Sequence, residues 1–366
     1  MTTELITPWD LDGSLGEFFI PEYIEQMTHQ VLENYDLNAK SMEVVTTKAD
    51  KGGAIWKVET DQGPYSLKLL HRRPTRSLFS LGAQDYLVEE KGARVPPIIK
   101  TRDGKNHVEM GGKLWFVAEW IEPLNPVSKD LEGAKQLCHA IGEFHVLTKG
   151  YIPPAGAENA SRLYRWPKTY KKVVNKMEWF RNIANAYSEM PASKTILSVI
   201  DMFELQAIEA LQNLENSPYE KLISIGNVEW GLVHQDYGWS NGQMGPGGVW
   251  IIDLDGVAYD LGIRDLRKLI TGTMDDLGTW DVTWMKEMIK AYHEANPIDA
   301  DLFEVLIVDM TLPNLFYKNV KEILFEPTIF MDGELDALCN RIVESDKTKW
   351  PAIEELKQSF KGGTFE

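Results

Sequence analysis

Trp230-Gly231-Leu232-Val233-His234-Gln235-Asp236-Tyr237-Gly238-Trp239-Ser240-Asn241 and, a little further on, Val249-Trp250-Ile251-Ile252-Asp253-Leu254-Asp255 are the residues from which the fold is read. Two short apolar runs, Gly231 to Val233 and Val249 to Ile252, each lead straight into carboxylates. Gly245-Pro246-Gly247-Gly248 supplies a turn between them. The pattern predicts a hairpin-like pair, with Asp236 and Asn241 on one loop and Asp253 and Asp255 just past the second strand.

That arrangement has a specific chemistry. Phosphoryl transfer needs a carboxylate near the attacking hydroxyl and oxygen ligands that hold Mg²⁺ on nucleotide phosphates. Mg²⁺ takes few protein ligands, mostly carboxylate or amide oxygens, and fills its shell with phosphate and water. His-x-Asp-x-x-x-x-Asn followed by a strand ending in Asp supplies all of these. Asp236 is expected to orient or deprotonate the acceptor hydroxyl, Asn241 and Asp253 to ligate the metal, and Asp255 to support a second ion or the water shell of the first. His234 is expected to position the loop.

These residues resemble the catalytic and metal loops of the aminoglycoside phosphotransferase and choline kinase superfamily. The continuation Ala258-Tyr259-Asp260-Leu261 and Ile263-Arg264-Asp265-Leu266-Arg267-Lys268 is similar to its kinase-like branch, the CotS-type spore coat proteins. So are the segment Arg162 to Trp166 and the tryptophans Trp280 and Trp284. The resemblance runs over roughly residues 25 to 345. It implies an α+β, bilobal protein-kinase-like fold with a small β-rich N-lobe and a large helical C-lobe, using ATP and Mg²⁺. The implied division is an arm over 1–20, an N-lobe over 21–118, a hinge over 119–123, a helical C-lobe over 124–350 and a tail over 351–366. Asp265 is expected to hold the catalytic loop.

In chain order, Ile24, Met27, Val31 and Leu32 share one helical face. Three β signals follow, Met42 to Thr47, Ala54 to Thr60 and Pro64 to Leu70, joined by Gly52-Gly53 and Asp61-Gln62-Gly63. The resemblance places Gly52 and Gly53 over the ATP phosphates, where missing side chains let backbone amides approach. It makes Lys68 the phosphate-binding lysine, and it assigns backbone groups of Glu119 and Ile121 to adenine. One departure stands out. The glutamate that usually fixes this lysine should fall near Leu81 on the next helix, and Gln84, Asp85 and Glu89 are imperfect substitutes. Ile141 to His145 resembles the end of a long C-lobe helix, with His145 structural. Further helices are expected through Val343, and a loose end after Trp350.

The 366 residues carry 43% hydrophobic and 25% charged residues, the composition of a globular chain, and a net charge of −17. That charge argues against nucleic-acid partners. Two distant cysteines, Cys138 and Cys339, exclude a disulfide framework or a CxxC metal site and read as buried fillers. Neither a signal peptide nor a membrane span is evident, so cytoplasmic synthesis is expected, with placement in the spore coat implied by the resemblance. Arg162, Arg165, Lys168, Lys171, Lys172 and Lys176 form the most basic stretch, read as a solvated helix face or a site for an anionic acceptor or partner. Two functions follow: transfer of the ATP γ-phosphate to a hydroxyl of a small molecule or glycan, or a catalytically weak pseudokinase that assembles with other spore coat proteins.

Overall fold

The computed structural model describes residues 4–9, 18–331, 333–361 and 364–365. Gly13 and Gly16 of the expected arm and the Gly362-Gly363 pair lie outside them. The chain divides into two compact units: one comprises Met1–Val127, Leu147–Ala160 and Trp239–Ala258, the other Ser128–Val146, Ser161–Gly238 and Tyr259–Glu366.

The first unit is built on an antiparallel sheet of β1 (Ala39–Lys48), β2 (Gly53–Thr60), β3 (Gly63–Leu69), β4 (Ile98–Ile99), β5 (Val108–Met110) and β6 (Lys113–Glu119). Its order is β1-β2-β3-β6-β4, with β5 also paired to β6. Alternation decides which side chains are buried. Ala54, Trp56 and Val58 of β2 face a core that also holds Leu67, Trp115 and Val117, and the helix Glu22–Leu32 closes it with Ile24, Met27 and Val31. Trp56 stacks on Trp115 at 5.7 Å between ring centroids. A second cluster, Leu70, Leu81, Ile98, Leu114, Phe116 and Ala118, includes one residue of the helix Pro74–Glu89.

The expected hairpin takes a different form. Val249 to Ile251 belong to the strand Gly248–Ile251, which pairs with Gly242–Gly245 and not with the run at Leu232–Val233. The turn at Pro246-Gly247 is only two residues long, so it brings together the four residues on either side of it. Asn125–Pro126 adds a third strand to Gly242–Gly245.

The second unit is helical. Trp166, Tyr170, Val173, Met177 and Phe180 form the buried stripe of the helix Trp166–Ala186. Phe203, from the helix Pro191–Asn216, stacks on Phe316 at 4.1 Å. Asp281 caps the helix Val282–Ala295, accepting from the Thr283 and Trp284 amides at 2.8 and 3.2 Å. Cys138 and Cys339 are both free and buried. Among the described residues no helix is long and apolar enough to cross a membrane.

The loose end expected after Trp350 is instead helical. The helix Gly333–Ser359 runs through Pro351. Pro351 and Lys347, whose carbonyl the proline ring displaces, are both exposed, so water satisfies the broken turn. Beyond the proline, Ile353 and Leu356 are 2% and 0% exposed and carry the helix onward. Leu356→Ala is therefore expected to cost about 2–5 kcal/mol of unfolding free energy. Urea denaturation of the full chain checks this, and no loss of stability would mean that the last turns are not packed.

Candidate active site

Asp236, Asp253, Asp255 and Lys68, the charged residues singled out from the sequence, each have a local reason to be where they are. In the first unit, Lys68 lies on β3 opposite Phe116 of β6 and Ile55 of β2. Its ammonium donates to Asp253 Oδ1 at 2.5 Å and contacts Asp255 Oδ1 at 2.8 Å. Burial works against the charge on Lys68, but Asp255 and Asp253 outweigh it and hold its pKa above the usual lysine range. Asp253 itself adopts φ +60°, a left-handed conformation uncommon outside glycine, at the exit of the strand Gly248–Ile251. That turn is what lets two carboxylates separated by one residue converge on one cation.

The helix glutamate is thus replaced. None of the three polar candidates on Pro74–Glu89 serves Lys68: Gln84 donates its Nε2 to Pro96 O at 2.6 Å, Asp85 accepts from Lys100 at 2.6 Å, and Glu89 is exposed. Leu81, at the expected position, is part of an apolar cluster. Lys48, at the end of β1, is a second ammonium 3.7 Å from Asp253, and His71 Nδ1 lies 3.9 Å from Asp255. Burial and the neighbouring Lys48 push the His71 pKa down to about 4, so this ring is neutral near pH 7. Sequence reasoning missed both residues, because a lysine or histidine at a strand end carries no distinguishing pattern.

Lys68 and Asp253 line a cleft of about 690 Å³ within this unit. Its apolar walls include Ile55, Phe116, Ala118 and Leu254, and it continues past Glu119, Trp120 and Ile121. A cleft of this size, mostly apolar with a few convergent polar groups, suits a small ligand. The Glu119 amide is already committed to Pro97 O at 2.9 Å. Gly52 and Gly53 do not line the cleft. Their lack of side chains is accounted for within the protein: Gly52 has φ +67° with Ile6 and Thr7 packed over it, and a Cβ on Gly53 would lie 2.8 Å from His71 Cβ.

Among the described residues no group of three or more His, Cys, Asp or Glu side chains is arranged to hold a metal ion. The corner nevertheless fits a hard cation that shares its ligands with a nucleotide. Asp255 Oδ2 is buried without a hydrogen-bond partner, and Asn241 is tethered beside Asp253 by the Ile252 N–H to Asn241 O bond at 3.0 Å. Two carboxylates and an amide, completed by phosphate and water, form the ligand set that Mg²⁺ prefers.

In the second unit, Asp265 is fully buried at the start of the helix Ile263–Leu277. It accepts from the His234 amide at 2.6 Å and the Gln235 amide at 3.0 Å. His145 Nε2 lies 3.2 Å from the same carboxylate, while its Nδ1 lies 2.8 Å from Tyr292 OH. Gln235, at φ +73°, is held in its left-handed turn by these bonds and by Lys268, which donates to the Gln235 carbonyl. Tyr237 OH, donating to Leu137 O at 3.0 Å, fixes the far side of the turn. Asp236 between them is exposed and lines a cleft of about 510 Å³ in this unit. His234, Asp265, His145 and Tyr292 thus form one hydrogen-bonded chain beneath the turn.

The segments Arg162 to Trp166 and Asp260 to Lys268 also meet. Trp166 Nε1 donates to Asp260 at 2.7 Å, and the Arg264 guanidinium lies 4.5 Å over the Trp166 ring. Arg264 and Arg267 both pair with buried Asp309, which also accepts from Tyr170 at 2.7 Å. Lys168, Lys171 and Lys172 lie on the exposed face of the helix Trp166–Ala186.

The buried carboxylate gives a signed pH prediction. Burial raises the Asp265 pKa, but the hydrogen bond and charge of His145 prevail and hold it at about 2. A depressed carboxylate stabilises the fold above its unfolded pKa and loses that contribution as pH falls toward the folded value. Asp265 is therefore expected to contribute roughly 2 kcal/mol at neutral pH. Urea titrations of the wild type and Asp265→Asn between pH 7 and 3 should show a stability gap that narrows below about pH 4. A constant gap would assign the loss to altered hydrogen bonding alone.

No protein-family model matches the chain. It is 28% identical over 342 residues to spore coat protein S of Bacillus subtilis, covering 93% of this chain and 96% of that protein. Among solved structures, an aminoglycoside phosphotransferase from Alicyclobacillus acidocaldarius superposes with a TM-score of 0.76 at 16% identity, over 95% of this chain and 98% of the other. Spectinomycin phosphotransferase, with ADP and spectinomycin bound, gives a TM-score of 0.57 at 15% identity, over 93% of this chain and 95% of the other. Amicoumacin kinase, with AMP-PNP and Ca²⁺ bound, gives 0.58 at 16%, over 92% and 97%. By sequence the chain is a homologue of spore coat protein S, and its fold is the kinase-like fold of the aminoglycoside phosphotransferases.

Proposed function

We propose that this protein is a Mg²⁺-dependent phosphotransferase that moves the γ-phosphoryl group of ATP to a hydroxyl of a small-molecule or glycan acceptor. The observation that carries the reading is the convergence of Lys68 on Asp253 and Asp255 at the edge of the first unit's cleft. A buried ammonium between two carboxylates is costly to maintain as structure alone. It becomes useful when phosphates arrive. Lys68 would then donate to the α and β phosphates, leaving Asp253, Asp255 and Asn241 to hold the cation. Mg²⁺ would neutralise the phosphate charge that accumulates during transfer. The Glu119 carbonyl and the Ile121 amide would read adenine, since the Glu119 amide is already used. Asp236 would accept the acceptor's proton as its oxygen bonds to phosphorus and the bond to the ADP oxygen breaks.

The homologue is a spore coat protein, which supports placement in the coat and other coat proteins as partners. Coat placement and catalysis are compatible. Asp236 separates them, because it is exposed and its loss leaves the packed core intact.

Thermal unfolding with ATP and Mg²⁺ is the primary test. A Mg²⁺-dependent rise in Tm is expected, lost in Lys68→Ala and Asp253→Ala. No rise at millimolar ATP would end the nucleotide assignment. Asp236→Asn should keep the rise but lower acceptor-dependent ADP release by about 10²-fold or more. If ADP release were unchanged, Asp236 would not be the base.

A further inference from the structure

The second unit's cleft has a charge character opposite to that of the chain. The protein carries a net charge of −17, yet Arg264, Arg267, Lys268, Lys318 and Lys349 all line this cleft. The two arginines share the buried Asp309 carboxylate, and Asp260 also acts on Arg264. Lys268 is turned to the Gln235 carbonyl. Lys349 is 3% exposed; its ammonium donates to Thr311 O at 3.1 Å, and its nearest carboxylate, Asp346, lies 3.5 Å away. Asp346 also accepts from Gln206 at 2.6 Å and Trp350 at 3.3 Å, so its charge is shared among three donors. Lys318 makes no ion pair among the described residues and is exposed at the cleft. Of the other acidic groups lining the cleft, Asp236 is reserved for the reacting hydroxyl, and Asp275 faces Lys318 and Arg341.

Two more observations point the same way. Ser345 and Asn314 are among the cleft's lining residues, and Ser345 Oγ and Asn314 Nδ2 are buried behind its surface with no hydrogen-bond partner. Buried polar groups require partners, and a ligand rich in oxygen would supply them. Trp280, which lines the cleft, already has the Lys349 ammonium 5.8 Å from its ring centroid, and Trp350 has the same ammonium at 4.8 Å. A quaternary or primary ammonium needs an open aromatic face or spare carboxylates. At Trp280 it would meet an ammonium in its place.

We propose that this cleft takes a carboxylate-bearing polyol, a sugar acid, with the carboxylate set against Lys349 and Lys318, the ring hydroxyls against Ser345 and Asn314, and one hydroxyl presented to Asp236. The proposal rests on the phosphotransfer reading for the role of that hydroxyl. It departs from the choice of a cationic acceptor that an acidic chain would suggest. A cleft of about 510 Å³ has room for such a ligand.

The test uses one sugar frame in three charge states. Galacturonate, galactose and galactosamine are titrated into the full-length protein at pH 7 by ligand-observed NMR and calorimetry, without nucleotide. Galacturonate is expected to bind tightest and galactosamine weakest, the extremes differing by about tenfold or more for a two-unit change in ligand charge beside partly buried ammoniums. Lys318→Gln, at an exposed position, should shrink that ratio severalfold, as should Lys349→Met, while Lys349→Arg should preserve it. Galactosamine binding as well as galacturonate, an unchanged ratio in Lys318→Gln, or no saturable binding of any of the three overturns the proposal. The experiment contains no ATP, so failure of the nucleotide site appears separately, as a missing Mg²⁺·ATP shift in Tm.

Discussion

Asp265 is the residue on which the catalytic loop depends. It is fully buried, and its two oxygens capture consecutive backbone amides, those of His234 and Gln235. Few side chains can hold a left-handed non-glycine residue in place, but a carboxylate receiving two amides and a histidine N–H can. The cost of burying the charge is offset by that triple hydrogen bonding. His145, fixed from its other side by Tyr292, connects the loop to two further helices. The loop geometry therefore belongs to the core of the second unit.

The first unit solves a different electrostatic problem. Lys68 stays charged in a buried place because Asp253 and Asp255 both reach it. The sequence departs from the kinase pattern at the helix glutamate, and the structure supplies the carboxylates from the metal loop itself. Lys68, Asp253 and Asp255 thus form one ion-paired cluster, which under the proposed function would have to separate when nucleotide binds. Lys48 lies 3.7 Å from the other oxygen of Asp253, Oδ2, and gives that carboxylate a second cation.

Much of this was legible in the sequence, and the exceptions have physical causes. The Asp236, Asn241, Asp253 and Asp255 spacing, the lysine in an apolar strand and the paired motifs around Trp166 and Arg264 are local patterns that chemistry constrains tightly. The hairpin partner Gly242–Gly245 was not legible, because Gly-Gln-Met-Gly has neither alternation nor β-branching, and pairing is set by the two-residue turn. The last helix was hidden by Pro351 and by charged residues on its outer face, although Ile353 and Leu356 keep helical spacing. Gly52 and Gly53 are ambiguous in a different way: a glycine pair at a strand junction has more than one use, and Ile6 and His71 pack against it here. The replacement of the helix glutamate depended on a contact between residues 185 apart in sequence, which no local pattern encodes.

The exposure of Asp236 has an evolutionary consequence. Asp265 cannot be lost without disturbing the core, so its presence reports only that the chain folds. Asp236 has no such protection: a change there would leave the packed interior as it is. Under neutral drift, a descendant that used the fold only as a building block could discard Asp236 at no cost in stability. Among relatives of this chain, the residue at this position would accordingly be an inexpensive marker separating lineages under chemical selection from purely architectural ones.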